Sequence, residues 1–387
     1  VDYMSEILKI IDGAVKANAS MAANYASLLA DKLEERGEDK SARLIRERLL
    51  RAPQALAGAQ KSGGGISLNS LPIDGDSRLH TVDVSHPDLK FTKLHLPSGI
   101  ASRINEFIIN VQQYDEFLKA DAALPNRLLV YGAPGTGKTK MARWIAAKLE
   151  LTLLTVRCDT LISSLLGQTS RNLRQVFEYA QLSPCVLFLD EFDALAGARG
   201  NDRDIGELQR VVIALLQNID ALPEDTILIA ATNHDSLLDP AIWRRFGFRI
   251  PMPLPDLKMR ELMWSEMLGK MTPDSIDLHE LAQKSDTITG AMIEQVSLDS
   301  RRDTVLSKNT FIDEIKLYRR LYLAFALVQG IKLSTTEQEI QWLRLKDKKK
   351  FSLRNLAGLY DFSTRTVSNI LKEQNNNGQK ESECLKS

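Results

Sequence analysis

The stretch Gly132-Ala133-Pro134-Gly135-Thr136-Gly137-Lys138-Thr139 constrains this chain more than any other. It follows the apolar run Leu128-Leu129-Val130-Tyr131 and opens a segment of helical periodicity over 138–149. Strand, glycine loop and helix in succession satisfy the spacing G-x-x-x-x-G-K-[ST]. A phosphate chain is held best by several backbone N–H groups aimed inward, and small side chains let the backbone wrap closely. The helix beginning near Lys138 adds its positive end. The Lys138 ammonium can reach β- and γ-phosphates and the Thr139 hydroxyl can bind Mg²⁺, with Lys140 next in the expected ATP-binding run. A dinucleotide-binding G-x-G-x-x-G fails, because Gly135-Thr136-Gly137 is followed by Lys138-Thr139-Lys140.

Around this loop the pattern alternates. Strand candidates are 127–131, 151–157, 185–189, 226–231 and 248–250, with helix candidates at 138–149, 170–181, 206–219 and 235–243 between them. Apolar strands alternating with helices predict an α/β fold, a parallel sheet covered by helices on both faces. From Asp256 to about Gly330 the periodicity is purely helical. The expected organisation is a helical N-terminal hairpin (1–60), a linker and irregular segment with one or two strands (61–98), a large α/β subdomain (99–254), an all-α lid (255–330), a basic helical extension (331–373) and a disordered tail (374–387).

A second stretch, Cys185 to Asp193, is an apolar strand ending in acids. Asp190 can hold Mg²⁺ through water, and Glu191 can polarise an attacking water as general base. Together these stretches resemble the AAA+ family of ATPases, specifically the AAA group, over roughly residues 100–330. The resemblance implies a P-loop NTPase sheet and ATP hydrolysis to ADP and phosphate between subunits of a ring, expected as a hexamer. The strand 227–233 resembles the one ending in the sensor-1 residue, so Asn233 would orient the lytic water. Residues 238–250 resemble the segment carrying arginine fingers; Arg244 and Arg245 would reach a neighbouring subunit's nucleotide, and the resemblance does not decide between them. Arg249 is a weaker candidate. The resemblance also implies a pore loop at Leu165-Leu166-Gly167, where Leu165 replaces the family's aromatic. Gly290-Ala291 stands where many relatives carry a sensor-2 arginine. A protein substrate or adaptor, remodelled or unfolded, is the implied partner; a scaffold that binds ATP without turnover is disfavoured by Glu191, Asn233 and Arg244.

The ends carry the remaining signal. Residues 351–373 read as a helix-turn-helix: Leu353, Leu356 and Ala357 on one helix, a turn at Tyr360-Asp361-Phe362, then Ser363 capping a second helix with Val367, Ile370 and Leu371 inward. Asp361 replaces the usual turn glycine. The second helix would present Thr364, Arg365, Ser368 and Asn369 to a DNA groove. Between Lys332 and Lys372 there are nine Lys or Arg against four Asp or Glu, although the whole chain is balanced at 50 basic and 50 acidic residues. A DNA-associated regulatory, mobile-element or defence-system ATPase is therefore the alternative expectation, and partner docking by the same helices the other. Cys158, Cys185 and Cys384 lack metal-ligand spacing and read as thiols of a reducing compartment. No signal peptide and no membrane span is read, so the expected location is cytoplasmic.

Overall fold

The structure, a computed structural model, describes residues 3–15, 18–50, 82–90, 92–158, 166–196 and 205–372. The chain divides into two compact units between Pro253 and Leu254.

The first unit is built on a six-stranded sheet: β1 (Val82–Ser85), β2 (Arg127–Tyr131), β3 (Thr152–Arg157), β4 (Cys185–Asp190), β5 (Ile227–Thr232) and β6 (Phe248–Pro251), in the order β1-β3-β4-β5-β2-β6. All pairs are parallel except β1 with β3. The central strands β4 and β5 are nearly continuous apolar runs because both faces are covered. The period of two then sorts the side chains. Leu129, Leu154, Val156, Leu187, Leu189, Leu228 and Ala230 enter one core, and Leu128, Val130, Leu153, Val186, Phe188 and Ile229 enter the other. The first core is closed by Leu173, Val176 and Phe177 of one helix and Val211, Leu215 and Ile219 of another. The second is closed by Ile104, Phe107 and Ile108 and by Met141, Ala142 and Ile145. These helices are, in chain order, α4 (Ser98–Gln112), α6 (Lys138–Lys148), α7 (Leu166–Ala180) and α9 (Ile205–Ala221); the short α5 (Tyr114–Lys119), α8 (Asp193–Ala196) and α10 (Pro240–Trp243) lie between them. The chain leaves β2 to one side for β3 and returns to its other side as β6, so the glycine loop after β2 sits at a switch point of the sheet.

The N-terminal residues form three helices, α1 (Met4–Val15), α2 (Ala19–Glu35) and α3 (Asp39–Leu50), where the sequence suggested a two-helix hairpin. Asn18 explains the extra break: its side chain accepts from Met21 N at 3.1 Å and starts α2 afresh. These helices dock at the N-terminal ends of the strands. Lys9 pairs with Asp225 at 3.1 Å and donates to Thr226, just before β5, while Asn24 donates to Leu182 O at 2.9 Å just before β4. The glycine loop lies at the strands' other ends.

The second unit is all helical: α11 (Leu257–Leu268), α12 (Leu278–Lys284), α13 (Gly290–Leu306), α14 (Glu314–Val328), α15 (Thr336–Lys346), α16 (Leu353–Tyr360) and a last helix over 364–372. Trp264, Leu281, Ile293, Leu317, Tyr318 and Leu321 share one buried cluster with Ile340, Leu343, Phe351, Leu356 and Val367. Residues on both sides of position 330 therefore make a single core. Among the described residues no helix is long and apolar enough to cross a membrane.

Candidate active site

The loop between β2 and α6 takes its shape from backbone that side chains would obstruct. Gly132 has φ +147°, and a Cβ there would lie 2.3 Å from the Met252 carbonyl oxygen. Gly137, φ +98°, is the left-handed cap from which α6 starts. Ala133, Pro134 and Gly135 form an exposed crest, and Thr136 Oγ1 donates to Ala133 O at 2.8 Å. Lys138 is buried at the first position of α6, and its Nζ donates to Gly132 O at 2.7 Å and Ala133 O at 2.9 Å. Burial lowers its pKa, opposed by the nearby carboxylates of Asp190 and Asp193. Lys140 is half-buried on the same helix.

The acids at the end of β4 meet this loop. Thr139 Oγ1 donates to Asp190 Oδ2 at 2.9 Å, so the two expected metal-holding side chains are in direct contact. Asp190 Oδ1 accepts from Glu191 N at 3.0 Å. Glu191 itself has φ +54°, a left-handed conformation that a glutamate rarely adopts, and it is exposed. The strain turns the chain sharply, and the next residue, Phe192, points into the core while its N–H donates to Ala231 O of β5 at 2.8 Å. Asp193 then ties β4 to β5: its Oδ1 accepts from Thr232 Oγ1 and from Asn233 N, both at 3.0 Å. Asn233 follows β5, half-buried.

Arg244 and Arg245 follow α10 and differ in their surroundings. Arg245 is forked onto Asp220 at the end of α9, with Nε to Oδ1 and Nη2 to Oδ2 both 2.7 Å, and donates a third bond to Ala241 O. Arg244 is exposed and has no ion-pair partner among the described residues. The pair is held between two aromatic anchors. Trp243 meets Tyr131 of β2 edge-on at 5.2 Å, and Phe246, fully buried, meets Phe192 at 6.1 Å. Arg249 in β6 is exposed, and its Nε donates to Phe246 O at 3.0 Å. Leu165 lies outside the described residues; Leu166 and Gly167 open the backbone of α7.

Residues 128–254 match the family described as ATPase family associated with various cellular activities (AAA). An uncharacterised AAA family ATPase, y4kL, of Sinorhizobium fredii is 32% identical over 296 residues, which are 76% of this chain and 88% of the relative. The chain belongs to the AAA family of ATPases. Other relatives are a cell division cycle protein 48 homologue of Archaeoglobus fulgidus, 35% identical over 57% of this chain, and 26S proteasome regulatory subunit 6A of Schizosaccharomyces pombe, 31% identical over 68%. The alignments span 31% and 64% of those two proteins.

As an AAA ATPase the chain binds and hydrolyses ATP. The donor set fits Mg²⁺ as well: a hydroxyl and a carboxylate in contact beside a phosphate loop are hard oxygen ligands of the kind that ion takes. Sequence reasoning passed over three contributors. Asp193 reads in sequence only as the end of an acidic stretch, Asp220 carries no signal, and Met252, whose carbonyl excludes any side chain at position 132, lies 120 residues along the chain. No local signal marks the last two. The first was legible as a third acid in Asp190-Glu191-Phe192-Asp193.

Proposed function

We propose that this AAA ATPase works as a ring, a hexamer, with ATP held between subunits by Gly132–Thr139 of one and met by Arg244 and Arg245 of the next. Thr139 and Asp190 would hold Mg²⁺, which neutralises phosphate charge. Glu191, set beside Asp190 by its left-handed backbone, polarises the attacking water as general base, and Asn233, fixed through Asp193, orients that water. A guanidinium from the neighbour stabilises charge in the transition state, worth on the order of a thousandfold or more in related phosphoryl transfers. The work is remodelling or unfolding of a protein, with Leu165-Leu166-Gly167 meeting the polypeptide. A leucine there supplies apolar contact, with less area than an aromatic.

The observation that carries this reading is the convergence of Lys138, Thr139, Asp190, Glu191 and Asp193 at the strands' carboxyl ends, with Arg244, which has no ion-pair partner among the described residues, exposed on the same unit. Among the relatives named above, one bears the name of a proteasome regulatory subunit, which favours a protein as the object of the work. The test is ATPase activity per subunit as the protein is diluted. Activity should rise with concentration through the assembly range; a flat specific activity where subunits dissociate would sink the shared-site proposal.

A further inference from the structure

The second unit ends in a three-helix arrangement whose charges are divided between inside and outside. α15 leads to α16, and Asp361 ends α16 with φ +55° and ψ +35°, the left-handed turn that Asp tolerates better than most residues. Phe362 N donates back to Ala357 O at 3.0 Å, and Ser363 Oγ accepts from Thr366 N at 3.0 Å, so a three-residue turn joins two capped helices. Val367 and Ile370 of the last helix are buried against the cluster containing Leu356 and Ala357, and Gln341 of α15 donates to Ile370 O at 3.0 Å. Register and packing together make a helix-turn-helix unit.

Two of the acids here are turned inward, while Glu337 and Asp361 are exposed. Glu339 bonds Arg319 and Tyr360, and Asp347 pairs with Lys284 and accepts from the backbone N–H groups of Lys349 and Lys350. Lys350 is consumed in the same way, by Glu280 and Glu314, and so adds no available charge beside Lys348 and Lys349. Lys346, also exposed, lies over the Trp342 ring at 4.2 Å; Lys348, Lys349, Arg354, Arg365 and Lys372 are exposed, and none has an ion-pair or ring partner among the described residues. The last helix exposes Thr364, Arg365, Thr366, Asn369 and Lys372 and no apolar side chain. A helix that docks a protein needs an apolar or aromatic anchor; a helix that enters a DNA major groove needs hydrogen-bonding side chains flanked by cations for phosphates. We infer that residues 345–372 form a duplex-DNA interface, with the 364–372 helix in the major groove and the five free cations on the phosphates.

The test is fluorescence anisotropy of the full chain with a labelled, random-sequence DNA duplex. Five phosphate contacts predict a log–log salt slope of about −4.5, hence about a 500-fold loss of affinity between about 50 and 200 mM salt. Lys348→Ala with Lys349→Ala should bring the slope to about −2.7, and Arg365→Ala should remove about one further unit. Duplex RNA of the same sequence should bind at least about tenfold more weakly, since its deep, narrow major groove excludes a helix. Because these side chains are exposed and none is among the residues assigned to ATP, ATPase activity without DNA should match the parent; should alanine lower Tm, glutamine at the same positions replaces it. No DNA binding at low salt overturns the inference. So does a slope unmoved by the double substitution, or equal binding of duplex RNA. Glu191→Gln should leave DNA affinity unchanged, which separates this inference from the hydrolysis reading.

Discussion

Asp193→Ala tests whether the site is held from behind. One oxygen of this carboxylate accepts from Thr232 Oγ1, which is fully buried, and from the Asn233 backbone N–H, each at 3.0 Å. Alanine leaves both donors without that partner. A hydrogen bond to a charged group contributes about 1.5–3 kcal/mol, and since one atom serves both donors the total should be near about 3 kcal/mol rather than twice that. For a unit of this size that corresponds to a fall in Tm of about 6–12 °C. Asn233 loses its tether, and a displacement of about 1 Å at a positioning group costs up to about a hundredfold in rate. Turnover should therefore fall about 10–100-fold while ATP affinity changes less than about threefold, because the Gly132–Thr139 backbone is untouched. Asp193→Asn keeps an acceptor oxygen and should recover most of both losses. Steady-state ATPase, nucleotide titration and thermal unfolding of the three proteins read this out. Turnover of Asp193→Ala within twofold of the parent, with Tm unmoved, would refute the tether.

Glu191→Gln should keep ATP binding and lose about 10²–10⁴-fold in turnover, measured by single-turnover phosphate release; an unchanged rate removes Glu191 as general base. Arg244→Ala should leave Tm within about 1 °C, whereas Arg245→Ala, which strands Asp220, should lower it by about 2–4 °C. Mixing a double Arg244→Ala, Arg245→Ala subunit with Glu191→Gln subunits should restore ATPase activity that neither shows alone, since the two can form one intact shared site; no recovery argues against arginines supplied by a neighbour. In the second unit, the Lys284 hydrogen bond, against the opposing effect of burial, holds Glu280 below its ordinary carboxylate pKa, and Lys350 adds to the lowering. Asp347, which burial pushes up, is also held below its usual value by Lys284 and two backbone N–H groups. Carboxylates lowered on folding contribute stability above their unfolded pKa, near about 4, that is lost as pH falls through the folded values. Thermal unfolding from neutral pH downward should show that loss, less steeply for Asp347→Asn, and identical pH profiles would contradict it.

The sheet and the glycine loop are legible in the sequence, because both rest on local chemistry. An apolar run of five or six residues bounded by helix-forming segments can bury its two faces only inside a layered sheet, and β2, β3, β4 and β5 begin and end within a residue of where that pattern puts them. The loop glycines, Lys138, Thr139 and the Asp190-Glu191 pair were legible for the same reason: their spacing along the chain is itself the geometry. Tertiary structure decided what depends on residues far apart in sequence. That Gly132 faces Met252, that Arg245 is engaged by Asp220 while Arg244 has no ion-pair partner among the described residues, and that Asp193 grips the turn after β5 follow from strand order, which no window of residues encodes. The same holds for Lys348, Lys349 and Lys350, which adjoin in sequence. Folding splits them, because Lys350 lies where Glu280 and Glu314 converge and Lys348 and Lys349 do not. Charge along a chain is a sum, and which charges remain available to a partner is settled only when the core has chosen its own.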